Sequence, residues 1–200
     1  MAIEIEATFI EIPHTQMRQR LQKIGAVCRS PEYLMRTRIY DYADLRLDKN
    51  ASWVRVRQEY DGVTLAYKQR ASLAVDGVIE HQVKVDDFAV TCRFLEAIGL
   101  VPKAGQEIKR EVWSYQTCEI VLNTWPWLPP VTEIEGPDEE AVNACITALG
   151  LSRTEAIYDT ADGLYQRYYD VTRTEVSTID LRFAQQPSLL VERRRVEAAI

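Results

Sequence analysis

Several charged residues of one sign recur in this chain with a single residue between them. Glu4 and Glu6 flank Ile5 in MAIEIEATF, and Glu133 and Glu135 flank Ile134 in VTEIEG. Arg55 and Arg57 flank Val56 in WVRVRQE, and Arg36 and Arg38 repeat the spacing in LMRTRIYD. Lys68 sits inside TLAYKQR, Arg110 inside EIKREVW, and Glu80 inside IEHQVKV as a weaker acidic candidate. In an extended chain, residues two apart leave the same face at a spacing of about 7 Å. One such pair is explained by a strand with a wet side. Pairs of both signs, alternating with Ile, Val and Trp, point instead to an enclosed face, where charges require counter-charges, water or a ligand.

The chemistry that uses such a face is the handling of a polyphosphate. Arginine and lysine give charge-assisted hydrogen bonds to phosphoryl oxygens. Paired glutamates are hard oxygen ligands suited to Mg²⁺ or Mn²⁺, which bridge phosphates. Catalysis then consists mainly of positioning and charge neutralisation around an in-line attack.

Composition leaves room for this reading and excludes others. The chain of 200 residues is 46% hydrophobic and 27% charged, an ordinary globular balance that can bury a substantial core. A formal net charge of -6 argues against a nucleic-acid surface over the whole molecule. No apolar run reaches the roughly 18 residues of a membrane span, and the first residues lack a signal-peptide pattern, so the expected location is cytoplasmic and no membrane partner is expected. Cys28, Cys92, Cys118 and Cys145 form no CxxC pair, which points to reduced, mostly buried thiols rather than zinc.

Positioning these residues is the work of strands. Period-2 patterning predicts strands over 2–12, 33–42, 52–60, 63–70, 78–85, 106–115, 118–123 and 131–135, with Asp61-Gly62 as a hairpin turn. Strands that return so quickly are antiparallel. Helices are predicted over 15–24, 87–98 and 138–149, stopped by Gly25, Gly99 and Gly150, with a shorter one over 162–169. The segments FLEAIGL and CITALGL end alike and hint at a duplicated strand and helix layout. The pattern predicts an α+β fold, in which closure of the antiparallel strands into an eight-stranded barrel with flanking helices would enclose the charged face. A domain over residues 1–169 precedes an extension, 170–200, read as a surface helix or partly disordered, with the run Glu192-Arg193-Arg194-Arg195 as a solvated face.

In order and spacing, Glu4-x-Glu6, Arg55-x-Arg57, Lys68, Arg110 and Glu133-x-Glu135 resemble the CYTH family of triphosphate tunnel metalloenzymes, which includes class IV adenylate cyclases, thiamine triphosphatases and inorganic triphosphatases. The resemblance covers roughly residues 2–169. The segments YLMR (Tyr33 to Arg36), DYADLRLDK (Asp41 to Lys49), TWPWLPP (Thr124 to Pro130) and EIEGP (Glu133 to Pro137) are similar to a bacterial branch labelled class IV adenylate cyclase or CYTH-domain protein. The resemblance implies a triphosphate such as ATP, tripolyphosphate or thiamine triphosphate held by Arg55, Arg57, Lys68 and Arg110. It implies Mg²⁺ or Mn²⁺ on Glu4, Glu6, Glu133 and Glu135.

Three positions depart from the family pattern. The Glu-x-Glu-x-Lys signature ends here in Thr8, a Tyr that helps activate water is replaced by Ile39, and an Asp on the seventh strand is Asn123. Tyr40 adjoins Ile39 but points the other way unless the strand bulges. Triphosphate binding survives these changes better than catalysis does. Metal-dependent phosphohydrolysis is therefore the leading expectation, with adenylate cyclisation and a non-catalytic triphosphate-binding module as alternatives. His14, after Pro13 at a helix entrance, is expected in a turn or on the surface, and His81 faces the lumen or the outside according to register, with a catalytic part expected of neither; oligomeric state has no signature in the sequence.

Overall fold

A computed structural model describes residues 5–70, 78–157 and 161–195. Its strands are β1 (Ile5–Ile10), β2 (Val27–Asp41), β3 (Ser52–Gln58), β4 (Val63–Arg70), β5 (Val78–Val85), β6 (Val101–Tyr115), β7 (Cys118–Thr124) and β8 (Val131–Gly136). The helices are α1 (His14–Lys23), α2 (Phe88–Ala97), α3 (Glu139–Ala148), α4 (Ala161–Tyr168), α5 (Arg173–Thr178) and α6 (Ser188–Glu192). The strands form one sheet in the order β1-β8-β7-β6-β2-β3-β4-β5, with antiparallel pairings along β1-β8-β7-β6 and β2-β3-β4-β5. This is the expected α+β architecture of eight antiparallel strands and flanking helices.

Two strands are longer than their patterning predicts. β2 begins at Val27 and β6 at Val101, although Pro31 and Pro102 interrupt the alternation. A proline removes one ladder donor, so these stretches read as loops until neighbouring strands supply the remaining hydrogen bonds. The described residues fall into two compact units: one from residues up to 33, 108–173 and from 192 onward, the other from 34–107 and 174–191.

In the first unit the parity of β1 decides the site. Ala7 and Phe9 are buried with Ile120, Leu122 and Ile134 against Met17 and Leu21 of α1 and Val142, Ile146 and Leu149 of α3. Fully burying each large aliphatic side chain contributes roughly 1.5–3 kcal/mol. Slippage by one residue would expose this entire set, so the register is strongly specified. The intervening residues Glu6 and Thr8 are thereby committed to the opposite face.

Each unit also carries one of the twin helices foreseen from FLEAIGL and CITALGL. Asp87 caps α2 by accepting from Val90 N, and Asp138 caps α3 by accepting from Ala141 N. Such caps contribute about 1 kcal/mol each. Both helices end before a glycine in the left-handed region, Gly99 at φ 97° and Gly150 at φ 66°.

The C-terminal stretch, read from sequence as a surface helix or disordered, contains α5 and α6 and contributes buried side chains at Val176, Leu181 and Leu190. Its apolar residues are too sparsely spaced for a periodic signal, so burial there depends on contacts distant in sequence. In α4 the hydroxyl of buried Tyr165 donates to Pro126 O at 2.7 Å, and that of Tyr169, just beyond α4, donates to Trp127 O at 2.6 Å. Trp127 itself has a φ of 66°. Tyr165→Phe is expected to cost about 1–2 kcal/mol by leaving a buried carbonyl unpaired; urea unfolding of the two proteins measures it.

Cys118 and Cys145 are buried, Cys92 is half-buried, and Cys28 is exposed; all four are free thiols. Among the described residues no helix is long and apolar enough to cross a membrane.

Candidate functional site

The acidic candidates lie in the first unit. Antiparallel pairing sets Glu6 opposite Glu135 and Thr8 opposite Glu133. On the other side of β8, Glu135 faces Glu119 and Glu133 faces Val121 of β7. Directly opposed residues share a face, so Glu6, Glu119, Glu133 and Glu135 emerge on the side away from the Phe9 and Ile134 core. Glu119 was missed by sequence reading because the residues two positions away, Thr117 and Val121, carry no charge. Glu4 lies outside the described residues.

Glu133 has the most constrained environment of the set. Buried Asn123 donates its Nδ2 to Glu133 Oε2 at 2.7 Å and accepts from Arg110 Nε at its Oδ1 at 3.0 Å. Arg110 Nη2 itself stands 3.9 Å from Glu133 Oε2. Burial pushes the Glu133 carboxyl up to about 7; Arg110 and the Asn123 hydrogen bond pull it down, while the charge of Glu6 pushes it up. Asn123 thus couples the phosphate candidate Arg110 to the metal candidate Glu133 without adding a negative charge. An aspartate there would add a carboxylate beside Glu133.

Thr8, in place of the family lysine, is buried and donates its Oγ1 to Glu6 Oε1 at 3.2 Å. It orients a glutamate and brings no positive charge. Among the described residues, no three His, Cys, Asp or Glu side chains gather closely enough to hold a metal ion. The donor set is nonetheless of the right kind for Mg²⁺ or Mn²⁺, which is commonly held by one or two carboxylates, with water and substrate phosphates completing the shell. The like charge of Glu6 beside Glu133 is an electrostatic burden that a cation relieves.

Three of the four basic candidates, Arg55, Arg57 and Lys68, belong to the second unit, whereas Arg110 belongs to the first. Arg55 is opposite Ile39 on β2 and Ala66 on β4, Arg57 is opposite Thr37 and Thr64, and Trp53 is opposite Lys68. Lys68 is in turn opposite Glu80 on β5. One face therefore carries Trp53, Arg55 and Arg57 in a row with Lys68 alongside, as the alternation predicts. Lys84, opposite Thr64, shares this face and had no sequence signal, since only the hairpin register aligns it.

Glu80 is the internal counter-ion of that face. Its Oε1 accepts from Arg55 Nη2 at 3.1 Å, and its Oε2 lies 3.0 Å from Lys68 Nζ. Arg57 has Glu59 at 3.7 Å. The Arg55 side chain is 12% exposed, and its Nε is buried with no hydrogen-bond partner among the described residues. Burial lowers the Arg55 pKa, against which Glu80 and then Glu59 act. A buried guanidinium donor without an acceptor costs free energy and suits an oxyanion.

The strand has no bulge that would bring Tyr40 to this face. Tyr40 pairs with Val54, one step out of phase with Ile39 and Arg55, and its hydroxyl donates to Glu96 Oε1 at 3.0 Å. Burial pushes its pKa well above the usual phenol range. Tyr40→Phe is accordingly expected to lower stability by about 1 kcal/mol and to leave triphosphate affinity unchanged; paired unfolding and binding measurements check this. Arg36 and Arg38 share the phase of Tyr40 and so lie opposite to Arg55 and Arg57.

His81 stacks on Tyr67 with ring centroids 6.4 Å apart, again on the Val54 side. His14, at the start of α1, has its Nε2 3.3 Å from Val131 O, and burial lowers its pKa.

An α+β protein of eight antiparallel strands, with a glutamate-lined face and an arginine-lined face at the spacing described, defines a class, and comparison identifies it. The family model for the CYTH domain matches residues 2–155, and the chain belongs to the CYTH family. Among solved structures, a candidate adenylate cyclase from Vibrio parahaemolyticus aligns with a TM-score of 0.62 at 13% identity, covering 82% of this chain and 97% of that one. A protein of Pyrococcus horikoshii OT3 aligns at 0.58 and 14% identity, covering 81% and 99%. A candidate adenylyl cyclase from Hippeastrum, described as having a dominant triphosphatase activity, aligns at 0.50 and 16% identity, covering 80% and 92%. At these identities the likeness establishes the shared fold. No curated protein matches the sequence.

Proposed function

We propose that this CYTH protein binds a nucleoside or inorganic triphosphate through Arg55, Arg57, Lys68 and Arg110 and hydrolyses it with a divalent cation. The observation that carries the reading is the cationic face of β3 and β4, where, among the described residues, the buried Nε of Arg55 has no acceptor while Arg55 and Lys68 share the carboxylate of Glu80. A triphosphate supplies the missing acceptors. Glu80 competes for Arg55 and Lys68 and limits their mutual repulsion before the ligand arrives.

Glu6, Glu133 and Glu135, with Glu4, would hold Mg²⁺ or Mn²⁺. Such a cation supplies charge neutralisation of phosphoryl oxygens. Asn123 keeps Arg110 and the Glu133 carboxylate in a fixed mutual orientation, and Thr8 holds Glu6. In hydrolysis, water attacks the terminal phosphorus in line with the departing diphosphate. Thr8 and Ile39 offer this water no base, so positioning and electrostatics bear the rate.

That same lack favours two other readings: a cyclase, in which a ribose 3'-hydroxyl attacks the α-phosphorus, and a module that binds without turnover. Incubation with ATP, tripolyphosphate and thiamine triphosphate, with Mg²⁺ or Mn²⁺ and product identification, separates them. Orthophosphate release is the expected result. Cyclic AMP would replace hydrolysis with cyclisation, metal-dependent affinity without product would make it a binding module, and no affinity for any of the three would end the proposal. If only binding is found, turnover gained in Thr8→Lys would identify a degraded active site.

A further inference from the structure

The side of β2 opposite to Thr37 and Ile39 carries a charge cluster separate from the residues proposed to hold the triphosphate. Arg36 and Arg38 leave the strand opposite to Thr37 and Ile39. With Phe88, Glu107 and Arg182 they line a pocket of about 260 Å³ beside Gly105. A Cβ at Gly105 would sit 2.5 Å from Arg38 Nη1, 2.9 Å from Asp180 Oδ1 and 3.2 Å from Arg38 Cζ, so these side chains rest directly on the strand and would have to shift to admit a larger residue.

An anion already occupies part of this arrangement. Asp180 accepts from Arg38 Nη1 at 3.0 Å through Oδ1, and its Oδ2 lies 2.6 Å from Arg182 Nη2. Its place is set by the backbone, since Leu181 N donates to Gly105 O at 2.7 Å and Glu107 N donates to Leu181 O at 2.9 Å. Arg36 is 49% exposed and stands 3.9 Å from Glu107, beyond hydrogen-bond distance. Among the described residues, three guanidinium groups thus face two carboxylates, leaving one positive charge in excess.

Guanidinium forks match tetrahedral oxyanions, and two carboxylates among three arginines leave capacity for one more anion. We infer that this pocket is a second anion site, which takes one phosphate group in competition with the Asp180 carboxylate. Its volume falls below the roughly 300–1,000 Å³ of pockets that enclose whole organic ligands, so it accepts inorganic phosphate or the terminal phosphate of a monoester.

The test titrates inorganic phosphate into the full chain carrying Arg57→Ala and Lys68→Ala, which weakens the competing face, and reads binding by calorimetry and phosphorus NMR. Saturable binding is expected, weakened at least tenfold by adding Arg36→Ala. Asp180→Asn is expected to strengthen it threefold to tenfold, because the competing charge is gone while its shape remains. Arg36→Ala alone, at a half-exposed position where folding is not at stake, is expected to leave tripolyphosphate affinity unchanged. Glycerol phosphate binding as tightly as phosphate supports a monoester ligand, and weaker binding supports the free ion. Absence of saturable binding, or binding indifferent to both Arg36→Ala and Asp180→Asn, overturns the site whatever the fate of the triphosphate reading.

Discussion

Alanine in place of Arg57 is expected to weaken tripolyphosphate binding about thirty- to hundredfold while changing the unfolding free energy by less than ~1 kcal/mol. Hydrogen bonds to charged groups are worth about 1.5–3 kcal/mol when the partner is desolvated, which sets the scale of the lost affinity. The small cost to folding follows from position. Arg57 is 29% exposed, its carboxylate neighbour Glu59 is 3.7 Å away, and Arg55 projects from the same face two residues earlier, so removing one cation relieves repulsion. Arg55→Ala is the contrasting case, because it strips the ion pair with Glu80 as well as a ligand contact. Calorimetric titration and urea unfolding measure the two quantities separately. Wild-type affinity in Arg57→Ala would remove this residue from the phosphate set.

The second large effect concerns pH and Glu133. In the metal-free protein its carboxyl is held at about 7 against an ordinary 4.5, chiefly by burial. The folded chain therefore keeps a proton that the unfolded chain releases as pH rises from 4.5 to 7. Stability contributed by the neutral carboxyl is fully present below 4.5 and is lost as pH rises through 7, by roughly 3 kcal/mol, levelling off above about 8. Glu133→Gln keeps the neutral shape, and its stability is expected to be flat over the same range. Metal affinity runs in the opposite direction, since a cation requires the ionised carboxylate. Mn²⁺ binding is expected to tighten about tenfold per pH unit from 5 to 7 and to level off above it. Melting curves and Mn²⁺ titrations at several pH values test both limbs; affinity independent of pH would exclude Glu133 as a ligand.

Much of the site was legible because a strand has a period of two. Glu133 with Glu135, and Arg55 with Arg57, could be placed on common faces from their spacing alone, and the order of the motifs was enough to recognise the family. The phase of Tyr40 against Ile39 was also readable, since without a bulge adjacent residues diverge. Proline hid the starts of β2 and β6, where neighbouring strands overrule local preference. Arg36 and Arg38 show the limit of the method: their spacing equals that of Arg55 and Arg57, yet they occupy the other side of the sheet.

Alternation along a strand states which residues travel together, and this the amino-acid sequence determined unaided for β1, β3, β4 and β8. It does not state which strand lies alongside or in what register, because those depend on contacts between residues far apart in the chain. Tertiary structure alone therefore decided that Glu80 neutralises Arg55 and Lys68, that Asn123 joins Arg110 to Glu133, and that Asp180 meets Arg38. Charge on a side chain is written locally, but its counter-charge is chosen by the fold.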